Sequence, residues 1–292
     1  MAYQIFTDST ANLDKETSEK MNIHTIPFTY SIGGQEYICE DLEKFDDRAY
    51  YLAIQNGETV TTSQINPASY EEAFSPYLSK GDDILFISLS SGVSGSFHSA
   101  QTAAVQLNER FPERRVMIID SLGASLGEGL LAIRASKCRD NGMTLDETFL
   151  RIQTLLNRMY QVFIVDDLMH LKRTGRLSNV GAIVGSLLGI KPLLKGNKEG
   201  KIVVFSKVRG RKQAIRAMAD KFFQLADKAK NQLIGISHAN CPEDVEYLIK
   251  LLSKQLPANR ILTVKHEPVT GSHIGPGALA LYFEGDESVR LH

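Results

Sequence analysis

The sequence predicts an α/β protein, because short apolar strands and amphipathic helices alternate along most of its 292 residues. The alternation is clearest over residues 82–140, where two apolar strand segments are each followed by a helical pattern. Hydrophobic residues make up 43% of the chain and charged residues 23%, which is ordinary for a globular protein with a buried core. Alternation of this kind is typical of a parallel sheet with helices on both faces.

The first half of the chain is predicted from apolar spacing and from the residues that begin and end helices. Gly33–Gly34 marks a hairpin turn, and TVTTSQINP (59–67) is interpreted as a polar break. Strands are predicted at residues 3–8, 23–32, 36–38, 82–89 and 115–120, and helices at residues 13–21, 46–56, 68–79, 94–110, 123–140 and 144–158.

The second half differs in composition, and a helix ends near Asn157, so we predict a domain boundary there. The predicted domains are an N-terminal α/β domain, residues 1–157, and a C-terminal α/β domain, residues 158–292. In the second domain we expect strands from 162 and at 201–208, 232–239, 260–269 and 278–285, with helices at 180–190, 210–229 and 242–255.

The charge balance argues against a nucleic-acid partner, because 33 Lys and Arg nearly cancel 34 Asp and Glu. Three cysteines without metal-ligand spacing indicate reduced thiols in a cytoplasmic protein, with neither a metal nor another cofactor expected. The chain opens on a predicted strand and not on a signal peptide, and its apolar stretches fall short of the ~20 residues that cross a bilayer.

Three polar segments follow predicted parallel strands, namely TDST (7–10), SSGVSGS (90–96) and DSLGAS (120–125). Carboxyl ends of parallel strands meet at one edge of a sheet, where ligands bind at a change of strand order. We therefore expect these segments to form one shared rim.

The segment SSGVSGS invites comparison with a hydrolase nucleophile elbow, which requires Gly-x-Ser-x-Gly. Gly92 has the required spacing from Ser94, but Gly95 comes one residue too early. Small residues, hydroxyls and free N–H groups at a helix start suit a carboxylate or phosphate. A plain helix cap, an anion site and a nucleophile all remain open from spacing alone.

Other polar segments have ordinary structural explanations beside functional ones. The hydroxyls of TTSQINP (61–67) suit helix capping, and His273 in SHIGPGA (272–278) is a single histidine in a predicted glycine-rich loop. A basic cluster would form either a solvated face or an anion-binding surface. Its members are Lys172, Arg173, Arg176, Arg209, Arg211 and Lys212.

Taken together, these motifs resemble the DegV family of fatty-acid-binding proteins, which includes the FakB subunits of bacterial fatty acid kinase. The segments that carry the resemblance occur in family order along nearly the whole chain. They are TDSTANL (7–13), TSQ-x-x-P (62–67), SSGVSGSF (90–97), VDDLMHLKRTGRLS (165–178) and H-x-GPGA (273–278). Ile65, Ser96 and Ile274 stand where the family often has Pro, Thr and Thr.

The resemblance implies two α/β domains, the second with a mixed sheet, and a long-chain fatty acid between them. It implies that the carboxylate is bound by Thr62, Ser63, Ser94, Gly95 and Ser96, with His273 supporting the polar network. An apolar tunnel would hold the tail, since each buried methylene contributes about 0.8 kcal/mol. Candidate walls of the tunnel are Ile26, Phe28, Leu89, Phe163, Leu168, Ile183, Leu187 and Leu188.

By the same resemblance the chain is a binding subunit without chemistry of its own. A FakA-like kinase would phosphorylate the bound fatty acid to an acyl-phosphate for phospholipid synthesis, and ligand loading would involve a transient membrane encounter. The implied kinase contacts are Arg173, Arg176 and Arg209. Two rivals follow from the residues, a serine esterase with Ser94 as nucleophile and His98 or His273 as base, and a phosphate or nucleotide binder.

Overall fold

The computed structural model describes residues 2–40, 44–178, 189–227 and 232–291. The chain divides into two compact units, and we describe each by itself. Unit 1 consists of Met1–Phe45 and Val60–Leu156, and unit 2 consists of Asp46–Thr59 and Asn157–His292. The short segment 46–59, which precedes the predicted domain boundary by about a hundred residues, thus groups with the second half of the chain.

Unit 1 contains most of the predicted strands and helices, with ends shifted by a few residues. Its strands are β1 (Tyr3–Asp8), β2 (Ile23–Ile26), β3 (Thr29–Ile32), β4 (Gln35–Ile38), β5 (Val60–Ser63), β6 (Asp83–Ser88) and β7 (Val116–Asp120). Its helices are α1 (Lys15–Lys20), α3 (Pro67–Ser79), α4 (Ser96–Arg110), α5 (Leu126–Asp140) and α6 (Leu145–Leu156), and α2 (Asp47–Gln55) belongs to unit 2.

The main sheet of unit 1 has the strand order β2-β1-β6-β7, and every neighbouring pair is parallel. Strand β6 is buried along its whole length, as expected for a strand covered on both faces. Strand β2 pairs with one edge of β1, and β6 pairs with the other edge. The change of strand order therefore lies between β1 and β6, where the predicted rim begins.

A second sheet in unit 1 has the order β4-β3-β5, with antiparallel pairs. Gly33 and Gly34 have φ angles of 58° and 78° and connect β3 to β4, which confirms the predicted two-residue hairpin. Strand β5 corrects the interpretation of residues 59–67 as a polar break. Four residues of mixed polarity become a strand there because β3 supplies a pairing partner.

Unit 2 is built on a mixed sheet with the order β10-β9-β8-β13-β11-β12, in which only the β11–β12 pair is parallel. The α/β class with a parallel N-terminal and a mixed C-terminal sheet is thereby confirmed. The strands are β8 (Met159–Ile164), β9 (Ile190–Gly196), β10 (Ile202–Arg209), β11 (Ile234–His238), β12 (Ile261–Lys265) and β13 (Leu279–Glu284). The helices that follow α6 are α7 (Leu168–Arg173), α8 (Arg211–Leu225), α9 (Pro242–Leu252) and α10 (Pro268–Ile274).

The core of unit 2 lies between this sheet and helices α8 and α9, around fully buried side chains such as Phe222 and Phe283. The predicted strand 260–269 was too long, because β12 ends at Lys265 and α10 begins at Pro268. The predicted helix 180–190 lies almost entirely outside the described residues. Within the described ranges, no helix has the length and apolarity needed to span a bilayer.

Candidate functional site

The three polar segments at the strand ends of unit 1 form one hydrogen-bonded rim, which confirms the prediction. Asp8 Oδ2 accepts the N–H of Leu89 at 3.1 Å and so joins the first segment to the second. The N–H of Ser90 donates to the carbonyl of Gly123 at 2.9 Å, which joins the second segment to the third. The N–H of Ser91 also donates to Asp120 Oδ1 at 3.1 Å.

The hydroxyl-rich segment that ends β5 packs on the turn that precedes α4. The N–H of Ile65 donates to Ser96 Oγ at 3.2 Å, and Gln64 Nε2 donates to Ser99 Oγ at 3.3 Å. A Cβ atom on Gly95 would overlap Gln64 Oε1, so a larger residue there would displace the end of the Gln64 side chain from this close approach. Two motifs separated by about thirty residues are therefore parts of one site.

Helix α4 begins at Ser96 and not at Ser94, so both serines lie at its amino end. Ser94 Oγ accepts the N–H of Ser96 at 3.2 Å and lies 3.0 Å from Ser96 Oγ, to which it donates. Ser96 is fully buried and is used to join the two segments, whereas Ser94 is half-buried. Ser94 is therefore the more accessible of the two serines. Its hydroxyl could turn its hydrogen from Ser96 Oγ toward a ligand.

The register of β5 separates the two predicted hydroxyls of the Thr-Ser pair. Thr62 lies opposite Tyr30 of β3, and Ser63 lies opposite Thr29. Since side chains alternate between the faces of a sheet, Thr62 and Ser63 point to opposite sides. Thr62 shares its side with the residue two positions on, Gln64, which contacts the turn at Gly95. Thr62 is the better placed of the two hydroxyls.

Two fully buried carboxyl groups, those of Asp8 and Glu128, lie beneath this rim. Thr10 Oγ1 donates to Asp8 Oδ1 at 2.5 Å and lies 3.2 Å from Glu128 Oε2, while Thr7 Oγ1 lies 2.6 Å from Glu128 Oε1. Burial raises the pKa of Asp8 to about 6, and burial together with the charge of Asp8 raises the pKa of Glu128 well above its ordinary value. Both shifts favour the protonated form, so this pair keeps a shared proton to a higher pH than two carboxyl groups in water would.

The Gly-x-Ser-x-Gly spacing that fails at Ser94 is present at Ser125. Residues 123–127 read Gly-Ala-Ser-Leu-Gly, and Ser125 lies between β7 and α5 with φ 53° and ψ −138°. Such a conformation is strained for a residue other than glycine and is a reason to look for function. Ser125 is however fully buried, and its Oγ donates to Asn12 Oδ1 at 3.3 Å.

In unit 2, His273 lies near the end of helix α10, which corrects its placement in a loop. Burial, and then the charges of Arg176 and His170, lower the pKa of His273 to about 4. His273 is therefore a neutral ring at pH 7 and not a cation.

The two glycines of the GPGA segment adopt positive φ, 80° at Gly275 and 77° at Gly277. A Cβ atom on Gly275 would lie 3.0 Å from the His170 ring, and one on Gly277 would overlap the carboxylate of Asp166. The segments 165–178 and 273–278, predicted independently as motifs, are therefore in direct contact within unit 2.

The basic cluster divides into exposed and structural members. Arg173 and Arg209 are exposed, and Arg173 pairs with Asp167 at 3.1 Å. Arg176 is half-buried, and burial lowers its pKa. Arg211 is structural, since its guanidinium bonds to the carboxylates of Asp166 and Asp244 and to the carbonyl of Gly277, and Lys172 and Lys212 are exposed.

The predicted tunnel walls can be followed only where the chain is described. In unit 1, Ile26, Phe28 and Leu89 are buried. In unit 2, Phe163 is buried and Leu168 is half-buried. Ile183, Leu187 and Leu188 lie outside the described residues. Their assignment to a tunnel stays a prediction.

The structure argues against His98 as the base of the alternative serine esterase. His98 is exposed, and its Nδ1 is hydrogen-bonded to Gln101 Oε1 at 3.1 Å. Among the residues that the structure describes, neither Ser94 nor Ser125 is hydrogen-bonded to a histidine. No group of histidine, cysteine and acidic side chains suited to a metal ion occurs in the same ranges.

Comparison with known proteins gives a family match and many relatives. A model described as an uncharacterised protein of the DegV family matches residues 2–286. A DegV domain-containing protein of Clostridium perfringens is 35% identical over 97% of this chain and 98% of its own length. Another from Lactococcus lactis is 33% identical over 97% of both chains.

Solved structures of similar fold cover both units. DegV of Bacillus subtilis, described as a fatty acid binding protein, has a TM-score of 0.84 and 30% identity over 98% of this chain and all of its own. A DegV family protein of Thermus thermophilus, described by its fatty acid binding, has a TM-score of 0.87 and 26% identity over 98% and 100% of the two chains.

Proposed function

This chain belongs to the DegV family, and we propose that it binds a long-chain fatty acid, with the carboxylate at the rim of unit 1. The observation that carries the proposal is the packing of segment 62–65 on the turn 94–96 at the amino end of α4, in a chain whose solved relatives bind fatty acids. Helix N–H groups and serine or threonine hydroxyls are strong donors to a carboxylate.

Within this site, Ser94 and Thr62 are the principal hydroxyl donors, and the N–H group of Gly95 adds to them. The N–H of Ser96 is already donated to Ser94 Oγ. Ser96 Oγ is committed to the contact with the Ile65 N–H, and Ser63 faces the other side of β5. The tail lies among buried apolar side chains, and each buried methylene stabilises the complex by about 0.8 kcal/mol.

The direct test is mass spectrometry of an organic extract from the purified protein, together with uptake of added palmitate and oleate. A stoichiometric fatty acid, or saturable uptake, supports the proposal. Absence of both refutes it.

Matched variants locate the carboxylate. Removal of one hydrogen bond to a charged group costs about 1.5–3 kcal/mol, so Ser94→Ala and Thr62→Val weaken palmitate binding roughly 10- to 100-fold. Ser63→Ala, one residue away on the opposite face, is the control and changes the affinity less than about threefold. An equal loss of palmitate affinity in all three variants, the control included, would contradict this placement of the carboxylate.

The chain acts in this proposal as a non-enzymatic cytoplasmic subunit whose ligand is phosphorylated by a separate fatty acid kinase. The exposed guanidinium groups of Arg209 and of Arg173, which pairs with Asp167, support a partner surface, because exposed arginines suit an acidic protein or ATP phosphates. With a purified FakA-like kinase and ATP, conversion of bound oleate to acyl-phosphate is the readout. Arg173→Ala and Arg209→Ala lower the rate while leaving the affinity for oleate unchanged. Unaltered turnover in both variants would remove this surface from the proposal.

A further inference from the structure

Tyr70 of helix α3 carries a hydroxyl group to which no described protein group is hydrogen-bonded. The side chain is fully buried, and Tyr70 Oη is shielded from solvent. The ring packs against Phe74 of the same helix and Phe86 of β6, with ring centroids 6.0 and 5.2 Å away. A buried donor without a partner destabilises a fold, and a phenylalanine ring would fill the same space without that cost. The packing of the core therefore does not explain the hydroxyl.

The Tyr70 hydroxyl lies beside the turn at the amino end of α4. Burial, and then the charges of Asp8 and Glu128, raise the pKa of Tyr70, whereas the hydroxyl of Ser96 lowers it. The effect of one hydroxyl on another is short-ranged, so Tyr70 Oη lies next to Ser96 Oγ. All four residues belong to unit 1, so the arrangement depends on nothing in unit 2.

The hydrogen bonds at Ser96 Oγ explain why Tyr70 has no partner there. A hydroxyl oxygen has two lone pairs and so accepts two hydrogen bonds. One comes from the N–H of Ile65 at 3.2 Å, and the other comes from the hydroxyl of Ser94 at 3.0 Å. Both lone pairs of Ser96 Oγ are therefore occupied, and the nearest acceptor is closed to the Tyr70 hydroxyl.

We propose that Tyr70 is a positioning residue of the carboxylate site, and that its hydroxyl donates to Ser96 Oγ once Ser94 donates to the ligand. When Ser94 turns its hydrogen to the carboxylate, one lone pair of Ser96 becomes free and Tyr70 takes it. Binding then removes the cost of the unpaired Tyr70 hydroxyl and holds Ser94 in its binding orientation. The inference rests on the proposed function for its effect on ligand affinity, whereas the competition between Ser94 and Tyr70 for Ser96 exists without a ligand.

The competition is tested in delipidated full-length protein by a double-mutant cycle between Ser94→Ala and Tyr70→Phe, with the thermal midpoint measured by calorimetry. In the wild-type background, Tyr70→Phe removes an unpaired hydroxyl, so the midpoint is unchanged or higher. In the Ser94→Ala background the lone pair is free and Tyr70 donates to it, so Tyr70→Phe lowers the midpoint by roughly 2–4 °C. An equal effect of Tyr70→Phe in both backgrounds overturns the proposal, whatever the protein binds.

The second measurement is the dissociation constant for palmitate. Tyr70→Phe weakens binding at least about fivefold, because binding no longer supplies a partner to a buried donor. Tyr160→Phe is the matched control, since the hydroxyl of Tyr160 in β8 of unit 2 is also buried without a partner. The control stays within about twofold of the wild-type affinity. Wild-type affinity in Tyr70→Phe, or an equal loss in both variants, overturns the link between Tyr70 and the carboxylate site.

Failure of this inference is distinguishable from failure of the proposed function. If the wild type binds no palmitate, the proposed function fails, and the thermal cycle alone decides whether Tyr70 and Ser94 compete for Ser96. If the wild type and Tyr70→Phe bind palmitate equally well, the carboxylate site stands and Tyr70 has no part in it. A change of sign between the two backgrounds, together with a selective loss of affinity, supports both steps.

Discussion

Replacement of Glu128 by glutamine changes how the stability of unit 1 depends on pH. Glutamine has the shape of the protonated carboxyl group and can donate an N–H to Thr10 Oγ1, which lies 3.2 Å from Glu128 Oε2. It carries no proton that can be lost. Because Glu128 is fully buried and its pKa is raised, the substitution removes the titration of Glu128, and glutamine can keep the hydrogen bonds, while Asp8 still titrates.

The sign follows from the direction of the pKa shift. Folding raises the pKa of Glu128 above its value in the unfolded chain. The contribution of Glu128 to the free energy of unfolding is therefore complete below the unfolded-state pKa and is lost as the pH rises toward the folded-state pKa. Over that range each pH unit lowers the free energy of unfolding by about 1.4 kcal/mol. Asp8, whose pKa rises from 3.8 to about 6, adds a further loss of about 3 kcal/mol that is complete slightly above pH 6.

The assay is urea unfolding of wild type and Glu128→Gln at pH 5, 6, 7 and 8, followed by far-UV circular dichroism and by the fluorescence of the ten tyrosines. The difference in the free energy of unfolding, variant minus wild type, rises with pH above 5, because the wild type loses the contribution of Glu128 and the variant has none to lose. Where Glu128 is protonated in the folded state and ionised in the unfolded state, the slope is about 1.4 kcal/mol per pH unit. Glu147→Gln is the control. Hydrogen bonds from Thr144 lower the pKa of Glu147, so its contribution is already complete above pH 5 and the difference stays flat. A flat difference for Glu128→Gln as well would refute the shared-proton interpretation.

Three further outcomes test other parts of the site. Gly95→Ala forces Gln64 away from the turn and weakens palmitate binding at least about fivefold, as measured by displacement of a fluorescent fatty acid. Neither wild type nor Ser94→Ala nor Ser125→Ala hydrolyses nitrophenyl acyl esters above background. Turnover lost in one of the serine variants would revive the esterase alternative. Gly277→Ala, at φ 77° and against a carboxylate, lowers the thermal midpoint by calorimetry through a cost of at least about 1 kcal/mol, and an unchanged midpoint would contradict the strain assigned there.

The parts of the fold that the sequence predicted are those set by local or repeated chemistry. The Gly33–Gly34 hairpin follows from positive φ at two adjacent glycines, which few other residues tolerate. The rim followed from topology, because parallel strands end at one edge and Asp8 and Ser90 were both at strand ends. These inferences need no knowledge of contacts between distant parts of the chain.

The features that the sequence did not predict depend on distant partners. Strand β5 has too few apolar residues to be recognised alone and forms through its pairing with β3. Helix α10 contains a proline and a glycine within seven residues, and it is stabilised by tyrosines more than two hundred residues earlier in the chain. The contact of Asp8 with Glu128 likewise joins residues 120 apart, and a single sequence carries no signal of it.

The strained backbone at Ser125 is better explained as a turn that positions Glu128 than as a catalytic feature. Ser125 has the spacing and the dihedral angles of a nucleophile, but its hydroxyl is buried against the amide of Asn12, which cannot take a proton at neutral pH. Its carbonyl accepts the N–H of Glu128 at 3.0 Å, so the turn starts α5 with Glu128 in the first turn of the helix. That placement brings the carboxyl group to Thr7 and next to Asp8, which accepts the N–H of Leu89 directly before the turn 90–96. The cost of the strained conformation therefore goes into the geometry of the rim, and Ser94 is the serine that we propose to meet the ligand.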